Sequence, residues 1–290
     1  MPLADRAPAK INLGLHVLRK RDDDYHDVET VLHRIGWADT ITVRPADTLS
    51  MTCSDPALPT DETNLCLRAA HRLRDAFDVS RGAEIHLDKH VPYGAGLGGG
   101  SSDAATTLRL LARLWDLDAD RQVLHDLAAG LGADVPFFLQ DVPAAYATGR
   151  GDQLAPLHDG DGPYRLPFPV VLAVPSVEIR TPDAYAAVTP DDADRPDLRD
   201  LVRANDCARW RAHLVNDFEA PMASRHPAVA TARTWLREAG AEYVSLTGSG
   251  GGVYGVFEEA ELARRAEQEG RDRPERVHLA RSRPGSSAQS

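Results

Sequence analysis

Five glycines fall within seven positions, Gly94 to Gly100, in the run Pro92-Tyr93-Gly94-Ala95-Gly96-Leu97-Gly98-Gly99-Gly100-Ser101-Ser102. The residues after it read as an amphipathic helix, with Ala104, Leu108, Leu111, Ala112 and Trp115 on one face at helical spacing. Ala83 to Val91 alternates as a strand before it, with Ile85 and Leu87 on one face. A strand, a glycine loop and a helix in that order hold an anion well. Glycine lets the backbone bend tightly and approach a ligand. The first N–H groups of the helix have no internal partner and sit at its positive end. Phosphate is the natural guest.

The rest of the chain narrows the choice of guest. With 290 residues it makes one large or two medium domains. A formal net charge of -11 argues against a general nucleic-acid binder or a membrane-surface protein. A phosphate ligand therefore needs local help from lysine, backbone N–H groups or a metal ion. Cys53, Cys66 and Cys207 form no CxxC pair, which fits a reducing compartment. No apolar run approaches membrane-span length, and Met1 to Pro8 holds no apolar signal core. A cytoplasmic location is expected.

Residues 9–18 alternate as a half-buried strand, with Ile11, Leu13, Leu15 and Val17 on one side and Lys10, Asn12 and His16 on the other. A charged turn is expected over Arg19 to Asp24, and helices over Leu65 to Phe77, 101–115 and Gln122 to Leu131. Glycines, prolines and aspartates crowd the stretch from about 149 to 169, placing a domain boundary there. The expected domains are 1–155 and 165–280, with 281–290 a frayed tail. After the boundary come a buried strand at Pro169 to Val174 and helical segments near 182–188, 196–220 and 226–239. Two strands then flank a second glycine cluster between Tyr243 and Phe257, followed by a helix over 258–270 and a strand near Val277. Strands and helices in both halves predict an α+β fold. The Arg- and Asp-rich 196–220 region reads as solvated helix faces.

Two familiar phosphate loops fail. A Walker loop needs Gly-Lys before Ser or Thr, and Ser101 follows Gly100 directly. Gly94, Gly96 and Gly99 satisfy GxGxxG, but no strand ends in an acidic residue at the required distance, which weakens a dinucleotide-binding dehydrogenase.

The glycine loop resembles the ATP-binding motif of the GHMP kinases. Ala9-Lys10-Ile11-Asn12-Leu13 followed by Tyr25-His26, then Gly132-Ala133-Asp134-Val135-Pro136-Phe137-Phe138, and Leu246-Thr247-Gly248-Ser249-Gly250-Gly251-Gly252, are similar to further motifs of that superfamily, in family order. The first two point to the branch that phosphorylates the 2-hydroxyl of a cytidine-diphosphate-linked methylerythritol on the route to isoprenoid precursors. The resemblance implies an N-terminal domain of the ribosomal-protein S5 type and a ferredoxin-like C-terminal domain. It implies ATP as co-substrate, with Mg²⁺ to neutralise its charge and no ligand cluster in the sequence to hold the ion. The expected partner is a small cytidine diphosphate substrate, with no nucleic acid or membrane, in a monomer or weak homodimer. Other small alcohols, such as homoserine, mevalonate or a sugar, remain the alternative acceptors.

Residue by residue, the resemblance makes Asp134 the base and Lys10 its electrostatic partner. Without it, Asp134 reads equally well as a helix cap and Lys10 as a solvated strand residue. Backbone N–H groups of the glycine loop would hold the ATP phosphates. Ser101 and Ser102 would cap the helix, bond phosphate, or both. Lys89 could reach phosphate or adenine, and Asn64 resembles an adenine contact. Asn12 would touch the acceptor. Tyr25 and His26 would take the cytidine, with Tyr185 a second aromatic across the base. One departure stands out: Asp24 occupies a position that is usually glycine before Tyr-His. Aspartate tolerates positive φ there, but it adds negative charge near a diphosphate.

Overall fold

Strand β1 (Leu3–Lys20) is the seam of the molecule. We describe residues 1–160 and 162–280 of a computed structural model; the expected tail at 281–290 lies outside the described residues. The alternation in β1 is real, but both of its faces are covered. Ile11 and Leu13 pack with Val170, Leu172, Tyr254 and Val256 of the second half. Lys10 and Asn12, on the opposite side, are also buried, each about 3% exposed.

The first sheet adds β2 (His26–Ala46), β3 (Leu49–Cys53), β4 (Gly82–Asp88), β5 (Ala144–Thr148) and β6 (Gln153–Pro156). Its order is β3-β4-β2-β5-β6, with β1 also on β2. Only β3 and β4 pair in parallel, and α1 (Leu65–Ala76) makes the crossover between them. Helices α2 (Gly99–Leu114), α3 (Arg121–Ala129) and α4 (Val135–Leu139) complete the helical layer. Leu32, Ile41, Val43, Ile85 and Leu87 of the sheet meet Leu73, Leu108, Leu111, Trp115 and Phe138 of the helices in one core. Apolar burial of this kind holds such layers together.

A short hairpin, β7 (His158–Asp159) with β8 (Gly162–Pro163), leads to the second sheet. That sheet contains β9 (Val170–Val174), β10 (Tyr243–Leu246), β11 (Val253–Val256) and β12 (Arg276–Ala280), in the order β10-β11-β9-β12. Between β9 and β10 run α5 (Thr181–Tyr185), α6 (Leu198–Arg203), α7 (Cys207–His213), α8 (Glu219–Arg225) and α9 (Pro227–Glu238); α10 (Ala260–Glu269) links β11 to β12. All pairs are antiparallel, the split βαβ pattern of a ferredoxin-like domain. The α+β expectation holds.

Three local readings change. The 196–220 segment is not one solvated helix: Asn205 adopts φ 48° between α6 and α7, and Leu198, Leu201, Val202 and Trp210 are buried. The helix near 122–131 stops at Ala129. Helix α2 begins at Gly99 rather than Ser101, with Gly98 as N-cap at φ 67°, and no side chain caps it. Neither serine has the capping role expected of it.

Candidate active site

The two glycine loops, far apart in sequence, lie against each other. Gly96 has φ 76°, and a Cβ there would stand 2.0 Å from the carbonyl oxygen of Thr247. A Cβ on Gly250 would meet the nitrogen of Gly96 at 2.4 Å. The Gly252 N–H donates to the Ala95 carbonyl at 3.1 Å, and the Thr247 hydroxyl donates to the Gly96 carbonyl at 2.9 Å. Only backbones without side chains can approach this closely. The Gly248 side of the seam is held by Asn216, whose buried amide donates to the Leu246 and Gly248 carbonyls, each at 3.0 Å.

Beside this seam stands an ion pair. Lys10 Nζ lies 3.5 Å from Asp134 Oδ2. It also donates to Asn12 Oδ1 at 2.6 Å, while Asn12 Nδ2 donates to Thr30 Oγ1 at 3.0 Å. That network fixes the Asn12 amide, with its oxygen toward the ammonium. The Lys10 N–H donates to the Leu97 carbonyl at 2.9 Å, tying β1 to the loop. Asp134 occupies the N-cap position of α4, yet its side chain caps nothing and turns to Lys10 instead. The capping alternative for Asp134 and the solvated alternative for Lys10 are both removed.

An open cleft of about 870 Å³ gathers these groups. Lys10, Asn12 and Asp134 line it together with Gly96, Gly98 and Ser101 at one edge and Tyr25, His26 and Tyr185 at another. The turn presenting Tyr25 is closed by the Arg21 N–H donating to the Tyr25 carbonyl at 2.8 Å. Arg21 also binds Asp23 and holds its carboxyl below the usual range. Asp24 adopts φ 64°, so the turn does need the left-handed region. Its carboxylate sits 2.9 Å from Lys20 Nζ, which offsets the added charge. His26, rather than Tyr25, stacks on Tyr185, with ring centroids 4.7 Å apart. Burial lowers the His26 pKa, and the nearby Lys20 charge adds to this. Burial, with the Asp134 charge behind it, pushes the Tyr185 phenol up to about 12. Tyr25 is 57% exposed and carries the Arg150 guanidinium 5.1 Å from its ring centre.

Other expected contacts lie elsewhere. The Lys89 ammonium is buried, at 2.7 Å from Asp39 and 2.8 Å from Asp103, so it is not free to reach phosphate. Those carboxylates more than offset the burial that would lower its pKa. Asn64 caps α1: its Oδ1 accepts from the Cys66 N–H at 2.9 Å and its Nδ2 donates to the Pro59 carbonyl at 2.8 Å. Pro92, Tyr93, Gly94, Ala95, Leu97, Gly99, Gly100 and Ser102 shape the loop without lining the cleft. Lys20, Arg150, Gly248 and Ser249 line it without having been expected to. Only the two loop residues carried a signal, inside the second glycine cluster.

A seam of closely packed glycine backbone, a lysine–aspartate pair and an aromatic wall border one cleft, an arrangement compatible with a small-molecule kinase. Known proteins agree. The GHMP kinases N terminal domain family matches residues 64–149, and the GHMP kinases C terminal family matches 194–275. A 4-diphosphocytidyl-2-C-methyl-D-erythritol kinase from Salinibacter ruber is 64% identical over 96% of this chain and 98% of its own. One from Chlorobium luteolum is 48% identical over 90% of each. A crystal structure of 4-(cytidine 5'-diphospho)-2C-methyl-D-erythritol kinase superposes with a TM-score of 0.80 at 35% identity, covering 96% of this chain and 98% of that one. A homoserine kinase from Cytophaga hutchinsonii, at 18% identity and a TM-score of 0.72, shares the fold. The class is therefore the two-domain GHMP kinase. Within it, the chain belongs to the 4-diphosphocytidyl-2-C-methyl-D-erythritol kinase family.

Proposed function

We propose that this protein transfers the γ-phosphoryl group of ATP to the 2-hydroxyl of 4-diphosphocytidyl-2-C-methyl-D-erythritol, giving the 2-phosphate and ADP, in the cytoplasm. The observation that carries the reading is the Lys10–Asp134 pair set in one cleft between the glycine seam and the Tyr25–His26–Tyr185 wall. Asp134 accepts the hydroxyl proton, the freed oxygen attacks the γ-phosphorus, and the bond to the β-phosphate oxygen breaks. The Lys10 ammonium offsets negative charge developing on the attacking and phosphoryl oxygens. Asn12, held by Lys10 and Thr30, orients the acceptor end of the substrate.

The glycine loop, Pro92 to Ser102, and the start of α2 hold the ATP phosphates through backbone N–H groups. Mg²⁺ supplies charge neutralisation to bound ATP. Among the described residues no group of three His, Cys, Asp or Glu gathers to cage a cation. Ser101, which lines the cleft at the start of α2, carries the hydroxyl that would sit on the phosphate side of the ion. Tyr25, His26 and Tyr185 receive the cytosine. Lys20 and Arg150, both on the cleft wall, suit the diphosphate. Arg150, now over the Tyr25 ring and paired with Asp152 at 2.8 Å, would have to turn from both to reach it.

The test is coupled ADP release with a panel of alcohols, with and without a cytidine diphosphate group. Turnover that requires the cytidylated acceptor supports the reading. Turnover on homoserine, mevalonate or a sugar, with none on the cytidylated acceptor, overturns it.

A further inference from the structure

Lys10 and Arg34 are directly opposed on the antiparallel pair β1–β2, so their side chains share one face. That face carries α4. Lys10 meets the carboxylate of Asp134 at the head of α4. Arg34 reaches its tail: Nη2 donates to the Phe137 carbonyl at 2.9 Å and also to the Gln140 carbonyl. The Arg34 guanidinium stands 5.3 Å from the centre of the Phe137 ring and 5.9 Å from that of Phe138. A second arginine completes the grip, with Arg109 Nη1 donating to the Phe138 carbonyl at 3.1 Å. Arg109 belongs to α2, the helix that starts in the glycine loop.

A five-residue helix has little stability of its own, and its last carbonyls have no partner within it. Here three carbonyls at that end, those of Phe137, Phe138 and Gln140, are taken by two cations, the charge that a helix C-terminus favours. Asp134 has no capping bond to hold it at the other end. Its position therefore depends on how α4 is anchored from behind.

We infer that Arg34 and Arg109 are positioning residues for phosphoryl transfer, clamping the tail of α4 so that Asp134 faces Lys10 and stays in fixed register with the glycine loop. The inference rests on Asp134 being the base. Arg34 ties α4 to the strand pair that carries Lys10, and Arg109 ties it to the helix that begins at the phosphate loop. Base and phosphate site thus move as one body. A base displaced by even about 1 Å can lose up to ~10²-fold in rate.

Arg34→Met and Arg109→Met keep much of the apolar stem and remove the donors. Each is expected to lower kcat by ~10-fold or more, with KM for ATP and for the acceptor within about twofold of the parent. Arg109→Lys, which retains a cationic donor without the guanidinium fork, is expected to recover part of the loss. The decisive comparison is a double-mutant cycle with Asp134→Asn. If the arginines act through Asp134, adding Arg109→Met to Asp134→Asn leaves the residual rate unchanged. Folded fraction, measured by circular dichroism at the assay temperature, normalises every rate. Full kcat in both methionine variants, a loss that disappears after that normalisation, or an undiminished Arg109→Met effect in the Asp134→Asn background overturns the positioning role. High activity in Asp134→Asn alone instead overturns the base assignment.

Discussion

The backbone of Gly96 lies against the carbonyl of Thr247, so near that a single methyl group at Gly96 would stand 2.0 Å from that oxygen. The first glycine loop is thus shaped by the opposite half of the chain. Gly94 shares its left-handed backbone, with φ 71°, but a Cβ there would meet nothing within 4 Å. Gly94→Ala is expected to lose only the strain of that conformation, about 1–2 kcal/mol. Gly96→Ala adds a backbone collision and is expected to lose more, together with a rise in KM for ATP. Denaturant unfolding of the two variants checks this; equal losses would show that the close approach is soft.

Asp134→Asn keeps the shape of the side chain and removes its ability to take a proton. The expected loss in kcat is ~10²-fold or more, the scale of a positioned general base. KM for ATP is expected to change little. Steady-state kinetics on the cytidylated acceptor provides the check, and near-normal turnover would remove Asp134 from the proton transfer.

Of the three residues of the aromatic wall, Tyr25 is exposed, whereas His26 and Tyr185 are half-buried. Tyr25→Ala is expected to weaken acceptor binding by roughly 1–3 kcal/mol, the worth of one base–aromatic stack, with folding stability nearly unchanged. Tyr185 also packs edge-on against Phe218, with centroids 4.9 Å apart. Tyr185→Ala is therefore expected to lower both acceptor affinity and melting temperature. Calorimetric titration with the acceptor, paired with thermal melts, separates the two effects. Unaltered acceptor affinity in Tyr25→Ala would exclude that ring from the site.

His33 predicts an acid weakness in the fold. Burial, reinforced by the charge of Arg165, lowers its pKa from 6.5 to about 4. Its Nε2 accepts from the Leu166 N–H at 3.0 Å and so stays unprotonated. Below about pH 6.5 the unfolded chain binds a proton there that the folded chain refuses. Stability is therefore fully present above that pH and falls as the pH drops toward 4, by up to about 3 kcal/mol from this residue. His33→Gln is expected to flatten the fall. Urea unfolding at several pH values between 7 and 4 measures it, and parallel curves for the two proteins would assign the acid sensitivity elsewhere.

Much of this was legible in the residues. Glycines that need left-handed backbone, and the alternation of β1, announced the loop and the strand before it was known what they touch. Asp24 could be read as a left-handed turn residue because the alternative, glycine, has the same requirement. Long-range pairing was not legible. Lys89 stands next to the loop in sequence, but Asp39 and Asp103 capture it from two other elements. Arg150 and Lys20 carry no distinguishing signal in the sequence; the fold sets them on the cleft wall. Strands β3, β5 and β6 are short and carry weak periodicity; they are strands because β4, β2 and β5 respectively offer them partners. Arg34 and Arg109 gave no local signal, since their targets are the carbonyls of a helix about a hundred and about thirty residues away.

The glycine seam between the two halves also bears on recombination. Where main chain touches main chain, there are almost no side chains to mismatch. Hybrids that join the front portion of this protein to the rear portion of a distant cousin, with the crossover in the connecting hairpin, are expected to inherit a working nucleotide cradle. Any incompatibility would surface first along β1, where Ile11 and Leu13 must fit foreign neighbours.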